Sequence, residues 1–215
     1  MSAPSLIVFG ARKGAGLAVA QAARAAGWAV TVVVRPGADA SALSAAGCQV
    51  READALDTAA VSESFAGLPS AAWVVSTLGG FDPVVDNFGN RNVIAAARAH
   101  GVQGMLLVSS LGAGDSRAYA SPKLVAAIGP VLDAKTRAED ALRASGLAFA
   151  IVRPGGLVDG QASGSGQLVE AQDVHGYLSR TELASLILRL LAGGGLSGQT
   201  LAAIDPACPP PARYA

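Results

Sequence analysis

The chain has 215 residues, of which 51% are hydrophobic and 15% charged, and carries no formal net charge. That balance excludes a disordered chain, and without a basic excess there is no electrostatic basis for nucleic-acid binding. Its two cysteines, Cys48 and Cys208, are far apart and have no histidine at zinc-site spacing, so they suggest neither a disulfide framework nor a metal and fit a reduced, cytoplasmic location.

The first residues run into Leu6-Ile7-Val8-Phe9 with no basic leader, so no export is expected. From there, short apolar β-branched runs alternate with alanine-rich stretches at helical spacing, the signature of successive βαβ units. Strands are expected at 5–9, 29–34, 49–52, 72–76, 104–109 and 148–152, with a short seventh at 200–204. Helices are expected at 16–26, 38–46, 58–66, 84–100, 132–145 and 181–192, with Gly27, Gly47, Gly101 and Gly146 at C-terminal cap positions. The glycine- and serine-rich run 160–166 reads as a mobile loop. The last apolar stretch, 183–192, is interrupted by Arg189 and falls short of the roughly 20 residues a bilayer span needs, so no membrane role is expected. The implied fold is α/β, a Rossmann-type doubly wound parallel sheet, in one domain over residues 1–215. Its portion from about residue 153 onward is expected to face the substrate.

Gly10-Ala11-Arg12-Lys13-Gly14-Ala15-Gly16 follows the first strand and opens the first helix, with Leu17 one residue further on. Glycines there let the backbone approach a pyrophosphate, and the helix N-terminus offers free N–H groups and a positive dipole end. The second strand ends at Arg35, where an NAD-specific site presents an acid to the ribose. No Asp or Glu occurs from Gly10 through Ala38, so NADP(H) is expected over NAD(H), with Arg35 on the 2′-phosphate and Arg12 and Lys13 nearby. Asp54, beside Ala55 after the third strand, is a candidate acceptor for the adenine amino group.

Six segments carry a family resemblance in order: Gly10–Gly16, Val32-Val33-Val34-Arg35, Ser76-Thr77-Leu78-Gly79-Gly80, Val108-Ser109-Ser110-Leu111-Gly112, 135–142, and Ile151-Val152-Arg153-Pro154-Gly155-Gly156-Leu157. Together they resemble the atypical short-chain dehydrogenases/reductases, in the NAD(P)H-binding group that includes flavin reductase/biliverdin-IXβ reductase. The resemblance implies that Thr77, Leu78 and Gly79 line the cofactor. It also places Ser109 and Ser110 beside the nicotinamide, with Pro154, Gly155, Gly156 and Leu157 cupping it.

Many enzymes of this class use Tyr-x-x-x-Lys on one helix, where the lysine lowers the tyrosine pKa. Tyr119-Ala120-Ser121-Pro122-Lys123 has that spacing, but Ser121 and Pro122 read as a helix N-cap and first residue, which leaves Tyr119 outside. The lysine in the family position is Lys135, preceded at four residues by Val131. Lys135 shares a stripe with Ala138 and Leu142 and is expected to hydrogen-bond the nicotinamide ribose, while Ser110 is the candidate to orient or protonate an acceptor. His100, at a helix end, and His175, after the glycine–serine run, are weaker candidates. A small-molecule acceptor is expected, a flavin, a linear tetrapyrrole or a quinone-like compound, handled by a monomer or small homo-oligomer. The competing reading is a non-catalytic NADP(H)-responsive regulatory or assembly protein. A nucleotide-sugar epimerase fits less well, because only about 60 residues follow the sixth strand and the tyrosine is missing.

Overall fold

The computed structural model describes residues 3–211, so the outermost ends of the expected 1–215 domain lie outside the described residues. Strand β1 (Ser5–Phe9) is buried along its whole length. Leu6 and Val8 enter one core and Ile7 and Phe9 the other, as the two-residue period of a strand covered on both faces requires. There follow α1 (Gly14–Ala25), β2 (Ala29–Val34), α2 (Ser41–Ala45), β3 (Gln49–Glu52), α3 (Thr58–Glu63) and β4 (Trp73–Ser76). A π-helical turn, Val85–Gly89, leads into α4 (Asn90–His100). Next come β5 (Gly104–Val108), a 3-10 turn at Gly114–Tyr119, α5 (Pro122–Arg143) and β6 (Phe149–Pro154). The chain then runs through β7 (Gly156–Val158), β8 (Gln167–Val169), β9 (Tyr177–Ser179), α6 (Arg180–Ala192) and β10 (Gln199–Ile204).

The main sheet has the order β3-β2-β1-β4-β5-β6-β10-β8. Its pairs are parallel except β10 with β8. Helices α1 and α6 cover one face through Val19, Leu183 and Ile187. Helices α3, α4 and α5 cover the other through Val61, Val93 and Ala138. Strands β1 to β3 step outward on one side and β4 returns to the other side of β1, so the order reverses between β1 and β4. Doubly wound sheets bind ligands in the crevice at such a reversal, outside the carboxyl ends of the strands.

Three features depart from expectation. The helix expected to start at Ser121 and Pro122 and the one expected at 132–145 are a single helix, α5, whose first turn is capped by the Ser121 hydroxyl accepting from the Leu124 N–H. Gly129 and Pro130 bend this helix rather than break it, with Ile128 taking the non-helical values φ −137 and ψ 19. The run 160–166 is a pinned loop. Ser163 and Ser165 donate to Asp205, and the Gly164 and Gly166 N–H groups donate to buried Glu182. Strands β7 and β9 form a separate two-stranded sheet, each too short for periodicity to announce it.

Candidate functional site

At the reversal, the Thr77 hydroxyl donates to Phe9 O at 2.9 Å, holding the turn after β4 against the turn after β1. A Cβ on Gly10 would lie 2.8 Å from this hydroxyl oxygen, and one on Gly16 only 2.5 Å away. These two glycines therefore serve the closeness of the two turns, and Thr77 is the clasp between them. Gly14 is different: a Cβ there would meet nothing closer than Arg180 Nε at 3.7 Å.

Helix α1 starts after Lys13 with no side-chain cap and no acid in its first turn. Its first N–H groups have no intrahelical partner, an arrangement suited to an anionic oxygen. Arg12, Lys13 and Arg35 are exposed around it, and Leu17 is half-buried against the α1 core. Two charged groups escaped the sequence reading. Arg180, at the start of α6, flanks Gly14 while its guanidinium is held by Asp159 at 2.7 Å. Asp39 stands just beyond the acid-free stretch and accepts from the Ser41 N–H, which together with the Ser41 side chain and Arg12 keeps its carboxyl below the usual range. Asp54 is exposed and accepts from the Leu56 N–H. Ala55 is buried, and its carbonyl accepts from Asn92. The residues present thus fit a phosphate-bearing dinucleotide: uncapped N–H donors, an open glycine and four basic side chains.

Lys135 reaches this region from α5 and meets a partner that sequence reading missed. Its Nζ lies 2.7 Å from Oδ1 of Asp86, a side chain with no solvent exposure on the π-helical turn. Burial pushes the Asp86 carboxyl above the usual carboxylate range, against the opposing pull of Lys135. Neither carboxylate oxygen receives a hydrogen bond of normal geometry, and Lys135, at 2.7 Å from Oδ1, is the cation that opposes the burial. Gly79 lies directly over the pair: a Cβ on it would be 2.6 Å from Asp86 Oδ1 and 3.2 Å from Lys135 Nζ. Val131, four residues before Lys135, is buried in the tyrosine's place. Leu78 packs beside this segment, and beyond it Phe81, Val84 and Phe88 expose large apolar surfaces. Phe81 does so at φ +70, a strained value for a side-chain-bearing residue.

The two serines after β5 diverge. Ser109 is buried and donates to Glu139 Oε1 at 2.5 Å, whereas Ser110 is half-buried and donates to Leu111 O. Glu139 also binds the fully buried Arg153 through both carboxylate oxygens, at 3.0 and 2.7 Å. Arg153 continues to Asp115 and Gln172, and its hydrogen bond is the largest influence holding the Asp115 carboxyl low. The Ser109 hydroxyl is therefore committed to the interior, and Ser110 is the serine left at the surface.

The glycines of Pro154-Gly155-Gly156-Leu157 serve packing. A Cβ on Gly155 would strike the Gly176 carbonyl, and one on Gly156 the Tyr177 ring. Pro154 is buried and accepts from Leu111 N, and Leu157 packs on the α1–α6 core. Tyr119 sits on the 3-10 turn outside α5, as its neighbours predict. Together with Ser116, Leu124, Gln172 and His175 it lines a cavity of about 90 Å³ that begins at Leu111 and Gly112. His100 bonds Leu68 O at 3.0 Å and touches Phe65, a packing role. Among the described residues no group of three or more His, Cys, Asp or Glu could hold a metal, and no helix is long and apolar enough to cross a membrane.

Residues 10–193 match the family model described as NAD(P)H-binding. The chain belongs to that NAD(P)H-binding family. It is also similar in structure to ChuY, an anaerobillin reductase from Escherichia coli O157:H7, with 36% identity and a TM-score of 0.90 over 96% of this chain and all of that one. A putative NAD-dependent epimerase/dehydratase from Bacillus halodurans superposes with a TM-score of 0.80 at 22% identity over 96% of both chains, a likeness of fold. Among curated sequences, sanguinarine reductase of Eschscholzia californica is 31% identical over 119 residues, 53% of this chain and 42% of that protein. An uncharacterized chloroplastic protein of Arabidopsis thaliana is 35% identical over 113 residues, 50% of this chain and 40% of that one. The chain thus spans less than half the length of these curated relatives, while it covers the whole of ChuY. With the atypical short-chain dehydrogenase/reductase likeness and the Rossmann-type sheet, this is an oxidoreductase family whose cofactor is a nicotinamide dinucleotide.

Proposed function

We propose that the chain is an NADPH-dependent reductase that delivers hydride to a small planar acceptor, with a linear tetrapyrrole or a flavin as the model substrates. The observation that carries this reading is the full-length likeness to the anaerobillin reductase ChuY. The cofactor preference rests on Arg35 at the end of β2 with Arg12 and Lys13 beside it, a set of donors suited to a 2′-phosphate. The acceptor class is supported by Val131 in the tyrosine's position, since a conjugated acceptor needs a close, stacked approach more than a hydroxyl acid. The exposed faces of Phe81, Val84 and Phe88 suit such stacking.

When bound, the cofactor supplies the hydride. The α1 N-terminus and Arg180 hold its phosphates, Arg35 selects the 2′-phosphate, and Asp54 and Ala55 border the adenine. Leu78 and Gly79 border the nicotinamide half, with the segment 154–157 on the far side. Lys135 directs its ammonium to the nicotinamide ribose, and Ser110 orients the acceptor. The chain from about residue 153 onward supplies the acceptor side of the crevice. NADPH oxidation followed at 340 nm with FMN, riboflavin, a simple quinone and a linear tetrapyrrole, the last also without oxygen, tests the reading. Turnover with at least one acceptor, faster with NADPH than with NADH, is the expected result. Tight NADPH binding with no turnover on any of them would instead favour a cofactor-sensing protein.

A further inference from the structure

Asp86 is a wholly buried carboxyl group with an oxygen, Oδ2, that has no partner at all. Such a group is costly unless a proton or a donor satisfies it. Lys135, 2.7 Å away, is the cation that opposes this cost, and it is itself 15% exposed, with its Nζ beside Gly79. The charged groups acting on Asp86 are this ammonium from α5 and, unfavourably, Asp82, which precedes its turn. Its remaining surroundings are neutral: Asn90 donates to the Asp86 carbonyl and accepts from Ser76. The π-helical turn is what lowers this acid beneath Gly79, and such turns recur where a side chain must be placed for function.

We propose that Asp86 and Lys135 together hold the proton that completes acceptor reduction: Asp86 takes it from solvent when a dihydronicotinamide dinucleotide lies across Gly79, and Lys135 delivers it. The idea rests on the cofactor reading above. A ligand over Gly79 covers the exposed part of Lys135 and offers its ammonium ribose oxygens. The ribose oxygens compete with the carboxylate for the ammonium, and excluded water raises the cost of the buried charge, so the carboxylate takes up one proton. As hydride adds to the acceptor, the electron pair it brings leaves an anion. Lys135 gives that anion a proton through a new bond from Nζ, and the amine recovers a proton from the Asp86 carboxyl. The pair ends as carboxylate and ammonium, its state in the free protein, and one solvent proton has been consumed with each hydride. Asp86 is in this scheme a positioning residue that acts through Lys135.

Calorimetric titration of NADPH into the protein at pH 7.5, in phosphate and in Tris, counts the protons exchanged. The wild type is expected to take up close to one proton more per NADPH bound than Asp86→Asn, with about one the limit for a single carboxyl. Subtracting the variant removes the contribution of the 2′-phosphate, which titrates near pH 6 as other phosphate monoesters do. Lys135→Met is the second variant: its Asp86, without a cation, is already protonated in the free protein, so the extra uptake should vanish there too. Equal proton counts in all three proteins, each binding NADPH, would overturn the proposal and leave the cofactor reading standing. No binding by the wild type would remove the cofactor reading as well.

Discussion

At the scale of single residues, the basic side chains around the glycine loop divide into two kinds. Arg35 follows β2, on the side proposed for the adenine ribose, whereas Arg180 flanks Gly14 at the helix end proposed to hold the phosphates. Arg35→Ala should therefore weaken NADPH by about 1–3 kcal/mol and leave NADH nearly unchanged, as expected for one charged hydrogen bond. Arg180→Ala should weaken both by a similar factor. Fluorescence titrations of the two variants with both cofactors check the pair, and an equal loss of NADPH and NADH in Arg35→Ala would contradict the 2′-phosphate assignment. Asp86 gives a prediction of opposite character. Its carboxyl binds a proton more tightly in the folded chain than at the ordinary value of 3.8, so the folded state retains a proton that the unfolded chain has released. Stability contributed by Asp86 must then fall as pH rises from that value through the raised one. Urea unfolding of wild type and Asp86→Asn across this range should show the wild-type advantage shrinking with pH and then levelling off. An advantage that grows with pH would mean that Lys135 more than repays the burial. The Lys135 stripe was legible in the sequence because a charge beside Ala138 and Leu142 is out of place on a helix packed against a sheet. Its partner was not legible, because Asp86 lies on another helix and nothing local marks it as buried.

At the scale of elements, the regular units were legible and the connections between them were not. β1 and β2 have the limits that their apolar, β-branched runs predict, since such a run bounded by glycine or a charge leaves little freedom, and β3 also has the limits expected of it. Helix α5 was read as a start at Ser121–Pro122 and a separate helix from 132, because Gly129 and Pro130 look like a break where the chain only bends at Ile128. The family resemblance places Ser109 beside the nicotinamide, at the carboxyl end of its strand. Its hydroxyl is instead turned inward by Glu139, itself fixed by an arginine from the next strand. This buried pair joins β6 and α5, while Arg153 reaches the 3-10 turn through Asp115 and the 170s segment through Gln172. Removing the arginine leaves Glu139 buried with Ser109 and the partly exposed Arg143. Arg153→Met should accordingly cost about 3–5 kcal/mol of unfolding free energy. Chemical denaturation measures this, and a loss under about 1 kcal/mol would show that Arg143 takes over the pairing.

For the molecule as a whole, the alternation of strands and helices was sufficient for the doubly wound sheet, while the strand order puts the reversal between β1 and β4, and with it the crevice that the glycine loop and Gly79 share. The proposed acceptor side is less legible. It is assembled from three-residue strands, the Gly155–Gly176 approach and the pinned 160–166 loop, whose contacts join positions 16 to 42 residues apart. The central claim is that the assembled crevice binds NADPH and passes its hydride directly to a bound acceptor. It is tested most directly with NADPH carrying deuterium at one or the other face of the nicotinamide C4, incubated with the best acceptor, the NADP+ formed being weighed by mass spectrometry. One labelled form should give NADP+ that has lost all its deuterium and the other NADP+ that has kept it, because a cofactor held in one orientation presents a single face. A mixture of labelled and unlabelled NADP+ from each form, or no NADP+ at all while NADPH binds, would contradict the claim.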